Sequence, residues 1–222
     1  LRSNGTEWMD GDANAATPGV FKILGNSYNF GTPAIADLDG NGQPDIVYGG
    51  SDGKLYAWRP NGASLPGFPI TLGGSVYGSV AIGYLDGAAD TQLDIVVAAG
   101  NGADSLYFFL ANGGRRPGFP VPLVTGGGYA KSPSPALADI DRDGYLDIVA
   151  AGSDGRLVVY SRNGVLFPAF TSVRYSALTY ALPIVGYTEQ TVCLSVPKLA
   201  FGYSLGTNLL FPFLAGGSTV LL

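Results

Sequence analysis

The segment Asn61-Gly-Ala-Ser-Leu-Pro-Gly-Phe-Pro69 returns as Asn112-Gly-Gly-Arg-Arg-Pro-Gly-Phe-Pro120 and again as Asn163-Gly-Val-Leu-Phe-Pro-Ala-Phe170, with spacings of 112 − 61 = 51 and 163 − 112 = 51 residues. Repetition at this period restricts the chain to a tandem array of like supersecondary units. One such unit cannot bury its own apolar faces and needs a neighbour on each side.

Four strand candidates recur in order inside each period. The first is Pro33-Ala-Ile-Ala36, matched by Val80 to Gly83, Pro135 to Ala138 and Pro183 to Gly186. The second is Asp45 to Tyr48, matched by Asp94 to Ala98 and Asp147 to Ala151. A Ser-Asp-Gly turn (Ser51 to Gly53, Ser153 to Gly155) leads into the third, Lys54 to Trp58, matched by Leu106 to Leu110 and Arg156 to Tyr160. Asp-Gly between two apolar runs is a hairpin signal, because the turn needs residues that tolerate positive φ. The fourth follows the Pro-Gly-Phe-Pro element. Four antiparallel strands per repeat of about 50 residues predict an all-β chain, a β-propeller of four-stranded blades. A sandwich of unrelated hairpins would not keep these elements in the same order.

Between the first and second strands lie two copies of one loop, Asp37-Leu-Asp39-Gly-Asn41-Gly-Gln43-Pro-Asp45 and Asp139-Ile-Asp141-Arg-Asp143-Gly-Tyr145-Leu-Asp147. Side chains at the first, third, fifth and ninth positions can converge, and the carbonyl of the seventh (Gln43, Tyr145) adds an oxygen. The glycine at the sixth, Gly42 or Gly144, permits the sharp bend. An all-oxygen, carboxylate-rich cage suits a hard cation such as Ca²⁺. An EF-hand is excluded by context: it needs a glutamate at the twelfth position and a helix after it. Here the twelfth residues are Tyr48 and Ala150, inside strand-like runs.

The net charge of −5 comes largely from these loops. Ten of the 15 Asp lie in them and in a related loop at Asp86, Asp90 and Asp94, and two bound Ca²⁺ would bring −5 to −1. The acidity therefore reads as metal ligation. The 12 Lys and Arg are scattered, which argues against nucleic acid as a partner. Cys193, the one cysteine, excludes an intrachain disulfide and reads as a small core residue. Residues 199–222 carry no charge, but glycines and Pro212 interrupt the run, and it aligns with strand–turn–strand segments rather than with a membrane span.

These residues resemble the FG-GAP (VCBS-type) repeats, the blades of integrin α-subunit heads and of many bacterial secreted proteins. The resemblance rests on Phe30-Gly-Thr-Pro-Ala-Ile-Ala-Asp-Leu-Asp39 and Ser134-Pro-Ala-Leu-Ala-Asp-Ile-Asp141 with their loops, and on the Ser-Asp-Gly and Pro-Gly-Phe-Pro elements. It implies a calcium-binding propeller, with ligands Asp37, Asp39, Asn41, Gln43 (carbonyl) and Asp45 in one loop, and Asp139, Asp141, Asp143, Tyr145 (carbonyl) and Asp147 in the other. The first ligand position runs Asp37, Tyr84, Asp139, Tyr187 through successive repeats. The second loop also has two extra residues, so Asp86, Asp90 and Asp94 should form a weak site at best. The fourth, Tyr187 to Thr191, should hold no metal.

The expected division is 1–24 as the end of one blade, 25–72 and 126–174 as blades with calcium loops, and 73–125 with a degenerate loop. Residues 175–215 should form a blade without one, and 216–222 the first strand of the next. That is four blades and two partial ones, expected to be part of a larger ring of seven or eight in a monomeric parent protein. A segment upstream of Leu1 is also expected.

The absence of histidine removes imidazole bases and Ser-His-Asp chemistry. Outside the loops, Asp52 and Asp154 read as turn residues, Asp104 as the matching turn, and Glu7, Asp10 and Asp12 as a solvated cluster. Only Glu189 is left besides. The expectation is a non-catalytic interaction module, extracellular or at the cell surface where calcium is abundant, binding a protein or glycan. The alternative is the propeller region of a secreted polysaccharide-processing enzyme or a lectin. Trp8, Trp58 and Tyr129 are candidate sugar platforms, although Trp58 falls where Phe109 and Tyr160 fall, a position expected to pack between blades.

Overall fold

A computed structural model of the chain describes residues 17, 20–25, 31–87, 89–100, 104–123, 133–151, 157–168, 192–195 and 218–221, the last two as backbone only. Contacts divide it into two units, Leu1–Leu178 and Thr179–Leu222.

In the first unit, β1 (Ala34–Ala36), β2 (Asp45–Gly49), β3 (Lys54–Trp58) and β4 (Ile70–Thr71) form an antiparallel sheet in sequence order. A second such sheet contains β5 (Ala81–Gly83), β6 (Asp94–Ala99), β7 (Ser105–Leu110) and β8 (Val121–Pro122). A third contains β9 (Ala136–Ala138), β10 (Asp147–Ala151) and β11 (Leu157–Tyr160). Strand limits match the sequence within a residue. Pro33 and Pro135 stay outside the ladders, as expected for residues with no N–H to donate.

The middle sheet shows why the strands read as unbroken apolar runs. All six residues of β6 are buried. By the two-residue period of a strand, Ile95, Val97 and Ala99 face a core shared with Val47, Leu55 and Ala57 of the first sheet. Val96 and Ala98 face the other way, into a core shared with Ile148, Ala150 and Val158 of the third. Strand β7 divides likewise, Tyr107 and Phe109 to one side, Leu106 and Phe108 to the other.

Two contacts recur from sheet to sheet. At the entry to each first strand, Thr32 N–H donates to Ser79 Oγ and Ser79 N–H to Ser134 Oγ, both at 2.9 Å. At the far side, Gly67 of the first Pro-Gly-Phe-Pro element abuts Asn112 of the next Asn-Gly turn, and Gly118 abuts Asn163. The two halves of the repeated sequence motif are thus the two faces of one joint.

In the second unit, β12 (Val192–Ser195) and β13 (Ser218–Leu221) pair in parallel, Val192 opposite Ser218. This departs from the antiparallel arrangement expected of every strand pair. A parallel pair needs a connection of a dozen or more residues, and Ser195 and Ser218 are far enough apart in sequence to allow one. Cys193 lies in β12, on the strand-like run read from the sequence. The expected strand at Pro183 to Gly186, Glu189 and the Tyr187 loop fall outside the described residues. No helix among the described residues is long and apolar enough to cross a membrane.

Candidate metal centre

Each loop is strung between two paired strand ends. Ala36 pairs with Asp45, and Ala138 with Asp147, so the residues before and at the last acidic position sit side by side. The intervening turn is fixed by side chains folding back on its own backbone. Asp37 accepts N–H bonds from Asn41 (3.0 Å) and Gly42 (2.7 Å), and Asp139 accepts from Asp143 (3.1 Å) and Gly144 (3.0 Å). Asn41 Oδ1 accepts from Gln43 N–H, and Asp143 Oδ1 from Tyr145 N–H. Asp45 and Asp147 accept from Leu38 and Ile140 N–H, each at 3.0 Å. Gly42 and Gly144 take φ of 82° and 89°, the bend the sequence reserves for glycine. Arg142 follows the left-handed conformation of its counterpart Gly40, at φ 63° against 70°.

This turn brings carboxylates together. Oxygens of Asp37, Asp39 and Asp45 lie within 4.8 Å of one another, as do those of Asp139, Asp141 and Asp147. The side chains of Asn41 and Asp143 are engaged with the loop backbone beside these carboxylates. Asp45 is fully buried, and its Oδ1 has no hydrogen-bond partner. Burial first, then the charges of Asp39 and Asp37, push the Asp45 carboxyl above its ordinary range. Asp147 is raised by burial and then by Asp141 and Asp143. A bound divalent cation inverts that balance. A buried carboxylate with an orphaned oxygen, grouped with two further carboxylates, is a donor set that could hold a metal ion.

The loops differ in one electrostatic respect. Arg59, from the end of the first sheet's third strand, holds Asp39 at 2.9 Å. Its counterpart in the third sheet is Ser161, so among the described residues Asp141 has no such rival.

The second loop also gathers Asp86, Asp90 and Asp94 within 4.8 Å. Its correspondence follows from shared bonds. Leu85 N–H donates to Asp94 as Leu38 does to Asp45, and Gln92 N–H to Asp90 as Gln43 does to Asn41. Asp86 therefore matches Asp39, Tyr84 replaces Asp37, and the two extra residues fall between Asp86 and Asp90. Arginines absent from the sequence reading meet here: Arg116 grips Asp86 at 2.6 and 2.7 Å, and Arg162 bonds the same carboxylate. Their signal was a break in the repeat, since Arg116 takes the place of the apolar Leu65 and Phe167.

A groove of about 600 Å³ opens between the first and second loops, lined by Asp37, Asp39, Tyr84, Gln92 and Asn112 among others. Tyr84 is 47% exposed there.

Of the other singled-out residues, Trp58 is buried, stacked on Tyr56 at 4.9 Å with Phe21 at its edge, which makes it a packing residue. Asp52 caps its hairpin turn by accepting from Lys54 N–H. Asp104 sits at the matching turn, in the place of Gly53. Its carbonyl accepts from Leu123 N–H as that of Gly53 accepts from Leu72, and its carboxyl is buried without a partner and raised by burial. Trp8, Tyr129, Asp154 and the Glu7, Asp10 and Asp12 cluster lie outside the described residues.

Residues 88–150, from the second loop through most of β10, match the FG-GAP-like repeat. That stretch is an FG-GAP-like repeat. A curated relative, benzoate–CoA ligase of Thauera aromatica, is 31% identical over 136 residues, 61% of this chain and 21% of the relative. The chain thus spans about a fifth of that relative's length. Among solved structures, the chain is similar to BBS1N in its complex with ARL6DN, soaked with lead (TM-score 0.44, 15% identity, 63% of this chain and 42% of that one). It is also similar to the computationally designed Ika4 protein (TM-score 0.40, 16% identity, 64% and 71%).

Proposed function

We propose that this chain is a non-catalytic, calcium-stabilised interaction module of the extracellular space or cell surface, its FG-GAP-type repeats serving as blades of a β-propeller that presents loops to a protein or glycan. The observation that carries the reading is the pair of equivalent loops, each with three carboxylates gathered within 4.8 Å around a buried aspartate. Held without a cation, such clusters repel themselves. With Ca²⁺ bound, the ligands Asp37, Asp39 and Asp45, or Asp139, Asp141 and Asp147, would pin the end of the first strand to the start of the second. Loops of moderate affinity fill where calcium is plentiful, which favours the extracellular setting. The like joints between three successive sheets favour a propeller, and the lack of histidine in the sequence favours binding over catalysis.

Glycan is the ligand class best matched to the groove beside the first loop. Tyr84 offers an exposed ring for a sugar face, and Asp39, Gln92 and Asn112 offer polar atoms for hydroxyls. A glycan array run with calcium and with chelator tests this, followed by Tyr84→Ala. Calcium-dependent binding lost in the variant supports it. An empty array alongside capture of a protein partner would reassign the ligand class, and turnover of a polysaccharide would end the non-catalytic reading.

A further inference from the structure

We propose that Arg116 and Arg162 take the place of the metal ion in the second loop, making it a calcium-independent clasp between the second and third sheets. The inference goes beyond the calcium reading of the other two loops and stands without it.

Position is the first support. Arg116 N–H donates to Phe108 carbonyl as Leu65 does to Ala57 and Phe167 to Val159, so the three residues are equivalents. Two repeats place an apolar side chain there; the second places a guanidinium, and sends it to the acidic loop of its own sheet. Both oxygens of Asp86 are engaged by Arg116 in the fork geometry that suits a carboxylate, at 2.6 and 2.7 Å. The Arg162 guanidinium adds a second positive charge at Oδ1. Two guanidinium groups carry the charge of one divalent cation. Arg116, before the smaller contribution of Arg162, holds the Asp86 carboxyl below its ordinary range.

Arg162 supplies the clasp. It follows β11 in the third sheet, 76 residues from Asp86 in sequence, and reaches into the loop of the second. Its guanidinium lies 3.7 Å from the ring centroid of Tyr145, a residue of the third loop. Gly87 completes the contact, since a Cβ there would meet Gly144 carbonyl at 3.1 Å and the Tyr145 ring at 3.2 Å. The longer second loop thus leans on the third, with Arg162 between them. Planar guanidinium can bridge a carboxylate and an aromatic face at once, which a lysine ammonium does less well. A calcium ion at this place would meet ligand oxygens already engaged, two fixed positive charges, and Tyr84 where the first carboxylate stands in its neighbours.

Two measurements on the full chain decide the matter. Calorimetric titration with CaCl₂ should give the same stoichiometry for wild type and Asp90→Asn, whereas Asp141→Asn loses one equivalent. Loss of an equivalent in Asp90→Asn would overturn the proposal. If Asp141→Asn also changes nothing, the calcium reading of the third loop falls while the clasp is judged by the second measurement. There, Arg162→Gln should lower the melting midpoint by about 3 °C or more, equally in calcium and in EDTA. Arg162→Lys, which keeps the charge and loses the fork, should recover part of the loss. No fall, or a fall confined to one of the two buffers, would overturn the clasp.

Discussion

A Cβ placed on Gly67 would stand 2.4 Å from the carbonyl oxygen of Asn112 in the next repeat. The partner is backbone and cannot swing aside, and Gly67 already has φ of 85°. Gly118 repeats the arrangement against Asn163 at 2.7 Å, with φ of 91°. Substitution to alanine combines a left-handed penalty with overpacking, together about 2–4 kcal/mol. Gly67→Ala and Gly118→Ala should each lower the denaturation midpoint. Gly25→Ala, with open space around it, should leave it near the wild-type value. Equal midpoints in all three would remove the close joint from the account of the repeat.

Calcium should raise the melting temperature. Ligand binding to the native state alone adds about 2.7 kcal/mol per site at a hundredfold excess over Kd. Melts of a metal-loaded preparation with and without EDTA make the comparison, and identical midpoints would exclude structural calcium.

The third loop should bind calcium more tightly than the first. It offers Asp143 where the first has Asn41, and Ser161 stands where Arg59 brings a guanidinium to Asp39. Higher ligand charge favours tighter binding. Asp143→Asn should weaken the third loop, and Arg59→Ser should tighten the first. A two-site titration in which Arg59→Ser weakens the first loop would show that Arg59 orders the ligand rather than competing for it.

Asp94 sets a pH dependence that is best read in EDTA. Burial, ahead of the charges of Asp90 and Asp86, raises its carboxyl from 3.8 to about 6. The folded chain therefore takes up this proton before the unfolded chain does, and the stabilisation is full below pH 3.8 and lost as pH rises through 6. Asp94→Asn keeps an acceptor for Leu85 N–H without the charge. Its stability relative to wild type should be greatest near pH 7 and shrink as the pH is lowered toward 4. A difference independent of pH across that range would show that Asp94 does not titrate there.

The loops were legible in the sequence because their geometry is local. Asp37 caps Asn41 and Gly42, and Asp45 caps Leu38, all within a few residues, so residue type and spacing almost determine the turn. The strands were legible because β6 and its equivalents bury both faces and show as apolar runs. The arginine contacts were not, because Arg116 and Arg162 meet Asp86 across 30 and 76 residues, and the break in the repeat at Arg116 does not name its partner. Tyr84 was visible only as a missing ligand; its place on the rim of a groove comes from the neighbouring loop. The parallel pairing of Val192–Ser195 with Ser218–Leu221 was equally hidden, since a strand-like run does not state its direction of pairing.

Ser79 is both giver and receiver: its N–H goes forward to Ser134, and its hydroxyl receives from Thr32 behind. A unit that carries the two halves of its own joint is compatible with any copy of itself. Whole-repeat duplication in a gene then extends the array by one ready-made step, with no new interface to be invented. Divergence can follow afterwards, one loop keeping its carboxylates for a metal and another acquiring arginines.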